Sequence, residues 1–263
     1  MNYLIINLLC LLCLLYLSGG YAAEIHMIGP NIPPQIDENG RGRIGDVIKA
    51  SLLNCGHTVR FTIVPFGRHQ QEYMENPAYD GLAIADTDRQ DLPGYATVPF
   101  HHLQYGALVL ANSDLNKIDA IEALHDKRVL VSLKADRLPG ITEQVAKFST
   151  FVEHHYNFDK IRLLLSGRTD AILGDGLVMA DAFAQIQERT QLGQEPYIDP
   201  SVSIVFRKLF PRSPQQLYFR DQSITEAFNG CYKHLLQQGL IDKITRPYVE
   251  KHRAVLNDQY PNH

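Results

Sequence analysis

Strand-like and helix-like segments alternate along almost the whole chain, and this alternation narrows the possible folds more than any other feature. Glu24–Gly29 has the character of a strand and is followed by a Pro-rich turn, Pro30-Asn31-Ile32-Pro33-Pro34. Ile44, Val47, Ile48, Ser51 and Leu52 then fall at helical spacing and stop at Asn54-Cys55-Gly56. Val59, Phe61 and Ile63 alternate with polar residues, which predicts a strand with one buried face. A short helix is expected over Arg68–Glu75, a buried strand at Leu82–Ala85 and another at Tyr105–Ala111. The pattern then repeats, with strands at Arg128–Ser132, Phe151–His155 and Asp170–Gly174. Helices are expected at Ile141–Phe148, Asp159–Ser166 and Leu177–Glu188. A strand at Gln216–Arg220, a helix at Ser223–Gln238 and, after Gly239, a short helix near Tyr248 close the chain. Repeated strand-helix units imply an α/β protein with mainly parallel sheets.

The length of 263 residues suits one large domain or two ordinary lobes, each able to bury its own core. With 45% hydrophobic and 21% charged residues, disorder and a multi-span membrane protein are both excluded as descriptions of the whole. The 25 Lys and Arg against 29 Asp and Glu leave a charge of −4, so no basic face points to nucleic acid.

The first 23 residues contain no Asp, Glu, Lys, Arg or His. Leu4–Leu17 is apolar apart from Asn7, too short for a helix of roughly 20 residues to cross a bilayer. It is followed by small residues around Gly20, Ala22 and Ala23, so residues 1–23 read as a secretory signal peptide cleaved after Ala22 or Ala23. No Lys or Arg precedes the apolar run. The protein is therefore expected to be exported to the periplasm. Cys10 and Cys13 would leave with the signal. Cys55 and Cys231 would remain, and two readings stay open for them: a disulfide in an oxidising compartment or two buried thiols.

Several chemistries find no support. There is no GxSxG elbow, no phosphate-binding GxxxxGK[ST] loop, no HExxH and no GxGxxG. The pairs His101-His102 and His154-His155 are adjacent, so on strands their rings point to opposite faces rather than to one metal. No cofactor or metal is expected, and no spacing singles out a catalytic triad.

The order of short motifs carries a resemblance. Pro33–Gly40 and then Gly45-Asp46-Val47 entering a helix, Val64-Pro65-Phe66-Gly67-Arg68, Tyr79-Asp80-Gly81 and Asp88-Arg89 occur in series. Leu124–Val129, Leu164–Ile172, Leu217–Arg220 and Glu226–Asn229 continue it. The series resembles periplasmic solute-binding proteins of family 3, the polar-amino-acid binders of the type II periplasmic-binding-protein fold. The resemblance implies two lobes, each a mainly parallel sheet flanked by helices, joined by two hinge crossings, with ligand between them. Lobe 1 would be 24–111 plus 210–263 and lobe 2 would be 112–209. The expected partner is a small polar solute, an amino acid or related carboxylate, delivered by a monomer to an ABC permease; a membrane sensor is the alternative partner. An exported dehydratase-like enzyme on the same fold is a further alternative, although non-enzymatic binding is the primary expectation.

The resemblance also places the site. Arg89 would grip the ligand carboxylate with paired donors, and Asp175 would receive the ammonium. Phe66 would pack on the ligand side chain, Thr87 would offer a hydroxyl and Arg68 would lie near the cleft mouth. Gln35 stands where relatives carry an aromatic after the Pro pair, and it is counted with the ligand-binding candidates. Plainer roles exist for three of these: Arg89 has acidic neighbours on its own loop, Asp175 precedes a helix and could cap it, and Phe66 could be core. The connection from Tyr79-Asp80 to Arg89 is shorter than usual, and Thr87 lies one residue closer to the arginine. Leu133-Lys134-Ala135-Asp136 replaces the Gly-Thr or Gly-Ser turn after the first lobe-2 strand. Both cysteine-bearing helices would belong to lobe 1, so a disulfide would tie the C-terminal helix to the first.

Overall fold

A computed structural model describes residues 23–132 and 138–262. The leader assigned to 1–23 (but for Ala23) and the turn Leu133–Asp136 lie outside the described residues. The strands are β1 (Glu24–Asn31), β2 (Thr58–Pro65), β3 (Gly81–Asp86), β4 (Tyr95–Ala96), β5 (His101–Leu110), β6 (Arg128–Val131), β7 (Thr150–Glu153), β8 (Ala171–Asp175) and β9 (Ile204–Phe219). The helices are α1 (Arg43–Asn54), α2 (Arg68–Glu75), α3 (Asn157–Leu165), α4 (Gly176–Gln191), α5 (Gln222–Gln237), α6 (Leu240–Glu250) and α7 (Arg253–Leu256).

The strands join in the order β2-β1-β3-β9-β5-β8-β6-β7, with β4 beside β9. β1 pairs in parallel with β2 and β3, and β6 pairs in parallel with β7 and β8. Between these two parallel halves run β5 and β9, antiparallel to each other and to the strands they flank. His101–Gln104 of β5 pairs with Arg212–Gln215, whereas Gly106–Leu110 pairs with Ile204–Lys208. Both strands therefore pass from one half to the other, and their register shifts between Gln104 and Gly106. A Cβ on Gly106 would stand 2.0 Å from the Arg207 carbonyl oxygen, so only glycine lets the strands approach this closely there. The result is a two-lobed α/β architecture with two crossing strands.

Each half is covered on both faces, which is why its central strands are nearly continuous apolar runs. On one face of the first half, Ile44, Val47, Ile48 and Leu52 of α1 meet Phe228 and Leu235 of α5 over Met27 and Leu217. Each fully buried side chain of this kind contributes roughly 1.5–3 kcal/mol of transfer free energy. The other face holds Tyr73 of α2 against Ile28 and Leu82. In the second half, α3 and α4 cover one face through Ile161, Leu164, Phe183 and Ile186. The opposite face is closed by loop residues such as Leu115, Leu124, Ile141 and Phe148. The tail from Val249 to Tyr260 packs into the α3–α4 cluster, so the C-terminal segment assigned above to lobe 1 reaches across to the other half.

Three local expectations change. Residues 141–148 form turns, with a single 3-10 turn at Val145–Lys147 rather than a helix. Ile141 and Phe148 are buried there, but Val145, which a helix would place on the same stripe, is 37% exposed. The last strand begins at Ile204, twelve residues before the expected start at Gln216. Pro211 and Pro214 signal a break in sequence, but Pro211 falls where the β5–β9 register shifts and no ladder pairing is needed from it. The helix after Gly239 runs the full length from Leu240 to Glu250.

Cys55 and Cys231 are joined as a disulfide, with Cα atoms 6.0 Å apart across 176 residues of sequence. It ties the end of α1 to α5 and is the kind of long-loop closure that contributes about 2–5 kcal/mol. Among the described residues no helix is long and apolar enough to cross a membrane.

Candidate functional site

The parallel strands of each half point their C-terminal ends at the junction between the lobes, where open α/β sheets leave their crevices. A cavity of about 300 Å³ lies there, at the small end of the ~300–1,000 Å³ range of small-molecule pockets. The first lobe contributes Phe66 and His69 after β2, and Ile84, Asp86, Thr87 and Asp88 at the end of β3. The second lobe contributes Ser132, Pro139, Leu173 and Gly174. The crossing strands close the floor with Leu103, Tyr105, Phe210 and Gln215, among others, and bring Arg212 to the cavity.

The walls are mostly apolar, and the polar groups enter at strand ends. Ile84 is 3% exposed and takes a φ of +69°, at the register break between Leu82 and Ala85. A left-handed conformation in a β-branched residue stores about 1–3 kcal/mol of strain, which tends to be kept at functional sites. Two residues later the strand delivers Asp86, whose carboxylate accepts a 2.9 Å hydrogen bond from Gln215 Nε2. Phe66 packs on the His69 ring at 5.7 Å between centroids.

On the facing lobe, Ser132 ends β6. Its Oγ accepts a 2.8 Å hydrogen bond from the Nζ of Lys160 on α3. Lys160 is 1% exposed, and burial draws its ammonium pKa down to about 8, partly opposed by the charge of Glu153 on β7. A Cβ on Gly174 would meet Ser132 Oγ at 2.8 Å, so β8 must carry glycine beside it.

The residues expected to form the ligand site divide into two groups. Phe66 and Thr87 line the cavity. Arg89 does not line it; its guanidinium donates to Asp91, Nε to Oδ1 at 2.6 Å and Nη2 to Oδ2 at 2.8 Å. Its third arm donates to Gln70 Oε1. Arg68 is exposed and pairs with Glu72 at 2.9 Å. Gln35 and Asp175 lie behind the cavity floor, in a buried network of their own. Asp175 caps α4 by accepting from Val178 N at 3.0 Å, and also accepts from Tyr260 OH at 2.7 Å, Gln104 N at 3.2 Å and Gln35 Nε2 at 3.2 Å. Burial pushes its carboxyl pKa upward, against the pull of those donors and of Arg43. Arg43, with no exposed surface, donates to the Pro261 and Asn262 carbonyls at 2.8 and 3.2 Å and lies over the Tyr260 ring. Arg89 and Asp175 are therefore not brought together; Asp175 is instead joined to the C-terminal tail.

Asp86, Ser132, Lys160 and Gln215 were not anticipated. Lys160 did carry a signal, because it falls on the buried stripe of its helix with Ile161 and Leu164, where a charge needs a reason. Among the described residues no group of His, Cys, Asp and Glu is placed to hold a metal.

No known family profile matches the chain, and no curated protein matches it in sequence. Solved structures do. An ancestral arginine-binding protein bound to glutamine is 21% identical over 86% of this chain and 97% of its own, with a TM-score of 0.63. A probable amino-acid ABC transporter extracellular-binding protein of Bacillus subtilis is 16% identical over 86% and 97%, with a TM-score of 0.66. A histidine kinase sensor domain with similarity to periplasmic binding proteins is 17% identical over 86% and 96%, with a TM-score of 0.63. At these identities the likeness is one of fold, and it extends over nearly the full length of each neighbour.

Proposed function

We propose that this chain, which has the two-lobed fold of periplasmic binding proteins, is an exported solute-binding protein that closes over a small polar ligand, an amino acid or related carboxylate. The reading rests chiefly on the cavity between the lobes, walled by apolar side chains and reached by Asp86 and Asp88 from one lobe and Ser132 from the other. Two crossing strands with a register shift between Gln104 and Gly106 are a suitable hinge for closure. Phe66 and Thr87 contribute to the first-lobe wall. Residues 24–111 with 210–263 act as lobe 1 and 112–209 as lobe 2, with the tail strapped across both. The closed form delivers its solute to an ABC-type importer in the periplasm, and the protein works as a monomer without chemistry on its ligand.

A second output is favoured by a specific observation. The histidine kinase sensor domain is as similar in fold as the transport neighbours, so the closed form could signal through a membrane receptor instead. Calorimetric titration of the mature protein with the twenty common L-amino acids and with small dicarboxylates tests the shared core of both readings. The expected result is at least one ligand of roughly micromolar affinity, about −8 kcal/mol, and a smaller radius of gyration by X-ray scattering when it is present. No binding across the panel sinks the proposal.

A further inference from the structure

We propose that Ser132, backed by the buried ammonium of Lys160, forms the subsite that receives an anionic oxygen of the ligand on the second-lobe wall. This deepens the solute-binding reading and rests on it. Four features converge. Ser132 lines the cavity. Its Oγ accepts from Lys160 Nζ at 2.8 Å, and a hydroxyl that already accepts from an ammonium keeps its own proton for another acceptor. Lys160 itself is 1% exposed, so its charge acts in a poorly screened environment. Gly174 leaves the space that Ser132 occupies, since any side chain there would sit 2.8 Å from the hydroxyl.

The other wall gives the subsite its sense. Asp86 and Asp88 reach the cavity from the first lobe, whereas Arg89 does not line it and its guanidinium is held by Asp91 and by Gln70 of the cavity wall. Arg212 of β9 also lines the cavity but is exposed, so water screens its charge. A ligand carrying both charges would thus place its cationic group toward Asp86 and Asp88 and its carboxylate toward Ser132. Lys160 does not line the cavity and acts through Ser132 as a positioning residue. The charged group that acts on it is Glu153 of β7.

The experiment uses the mature protein and the twenty L-amino acids, each compared with its α-carboxamide, in calorimetric titrations. Wild-type protein is expected to bind at least one amino acid tenfold or more above its amide, with affinity falling as pH rises above about 8, where Lys160 loses its proton. Lys160→Met, Ser132→Ala and Gly174→Ala are each expected to reduce that preference to threefold or less, and Lys160→Met should flatten the pH profile. A purely structural lysine would lower affinity for acid and amide alike, leaving the preference intact, and that result overturns the subsite. If Lys160→Met fails to fold, Ser132→Ala carries the test alone. Binding of amides or other neutral solutes in preference to acids overturns the subsite and leaves solute binding standing. Binding of nothing in the panel overturns both.

Discussion

Between the lobes lie two polar clusters of contrasting design. Behind the cavity, Gln35, Arg43, Asp175 and Tyr260 are fully or almost fully buried and tied to one another and to main-chain groups of the tail and of β5. In front of it, Asp86, Thr87, Asp88 and Ser132 reach a cavity of about 300 Å³. The same residue types serve different ends in the two places. In the rear cluster every oxygen of Asp175 is met by protein donors, which leaves it nothing to offer a solute. In the front cluster the groups stand at or just past strand ends and line the space a ligand would fill. A buried carboxylate whose oxygens are all met by protein donors serves the fold first.

The sharpest way to break this contrast is Asp175→Ala. It would remove the α4 cap and leave Tyr260 OH and Gln104 N–H buried without their acceptor. Losing a cap costs about 1 kcal/mol and each of the two orphaned donors about 1–3, so urea unfolding should show a loss of about 3–7 kcal/mol. A ligand-binding aspartate would behave the other way, with affinity lost and stability nearly unchanged.

Lys160→Met should move stability in the opposite direction. The lysine pKa is lowered from 10.5 to about 8 in the folded protein, so between those values the unfolded chain binds more protons than the folded one. Stability of the native protein therefore rises with pH across that window, and below pH 8 the buried charge imposes its full cost of about 3 kcal/mol. Methionine removes this cost and forfeits one hydrogen bond of about 1 kcal/mol. The variant should be about 2 kcal/mol more stable at pH 7 and should lose the rise between pH 8 and 10. Equal slopes in both proteins would place the lysine with the rear cluster, as a satisfied structural group.

The contrast also explains what could be read from the sequence. β2, α1, α4 and α5 were legible because their apolar residues repeat at the period of the element and face a core, and β1 and β3 because each is a short, nearly continuous apolar run. β9 was legible only in its last residues, because Pro211 and Pro214 mask a strand whose register shifts at Pro211 and holds at Pro214, which pairs with His102. At residues 141–148 the helical spacing of apolar residues was real, but the loop buries two of them without forming the helix. Phe66 and Thr87, two of the expected ligand residues, line the cavity because their place depends on a local strand end. The helix cap at Asp175 could be read from the sequence, but its other partners could not, because they lie 71 to 140 residues away at Gln104, Tyr260 and Gln35. Ser132 was unremarkable in sequence, since what distinguishes it is a lysine 28 residues further on.

Arg89 offers the smallest effect and the finest discrimination between the clusters. Its side chain is 18% exposed and its partner Asp91 is 61% exposed, so water screens the pair and its contribution should stay below about 1 kcal/mol. Arg89→Ala should accordingly unfold within that margin of the native protein. Its effect on the amino acid that binds best in the panel should be less than about threefold, because the guanidinium is held by Asp91 and Gln70 and does not itself line the cavity. An arginine that gripped the carboxylate would instead cost about 3–5 kcal/mol on removal, a loss of at least a hundredfold in affinity. That outcome would mean the side chain swings from Asp91 into the cleft when ligand arrives, and the anionic end would then be read from the first lobe rather than the second.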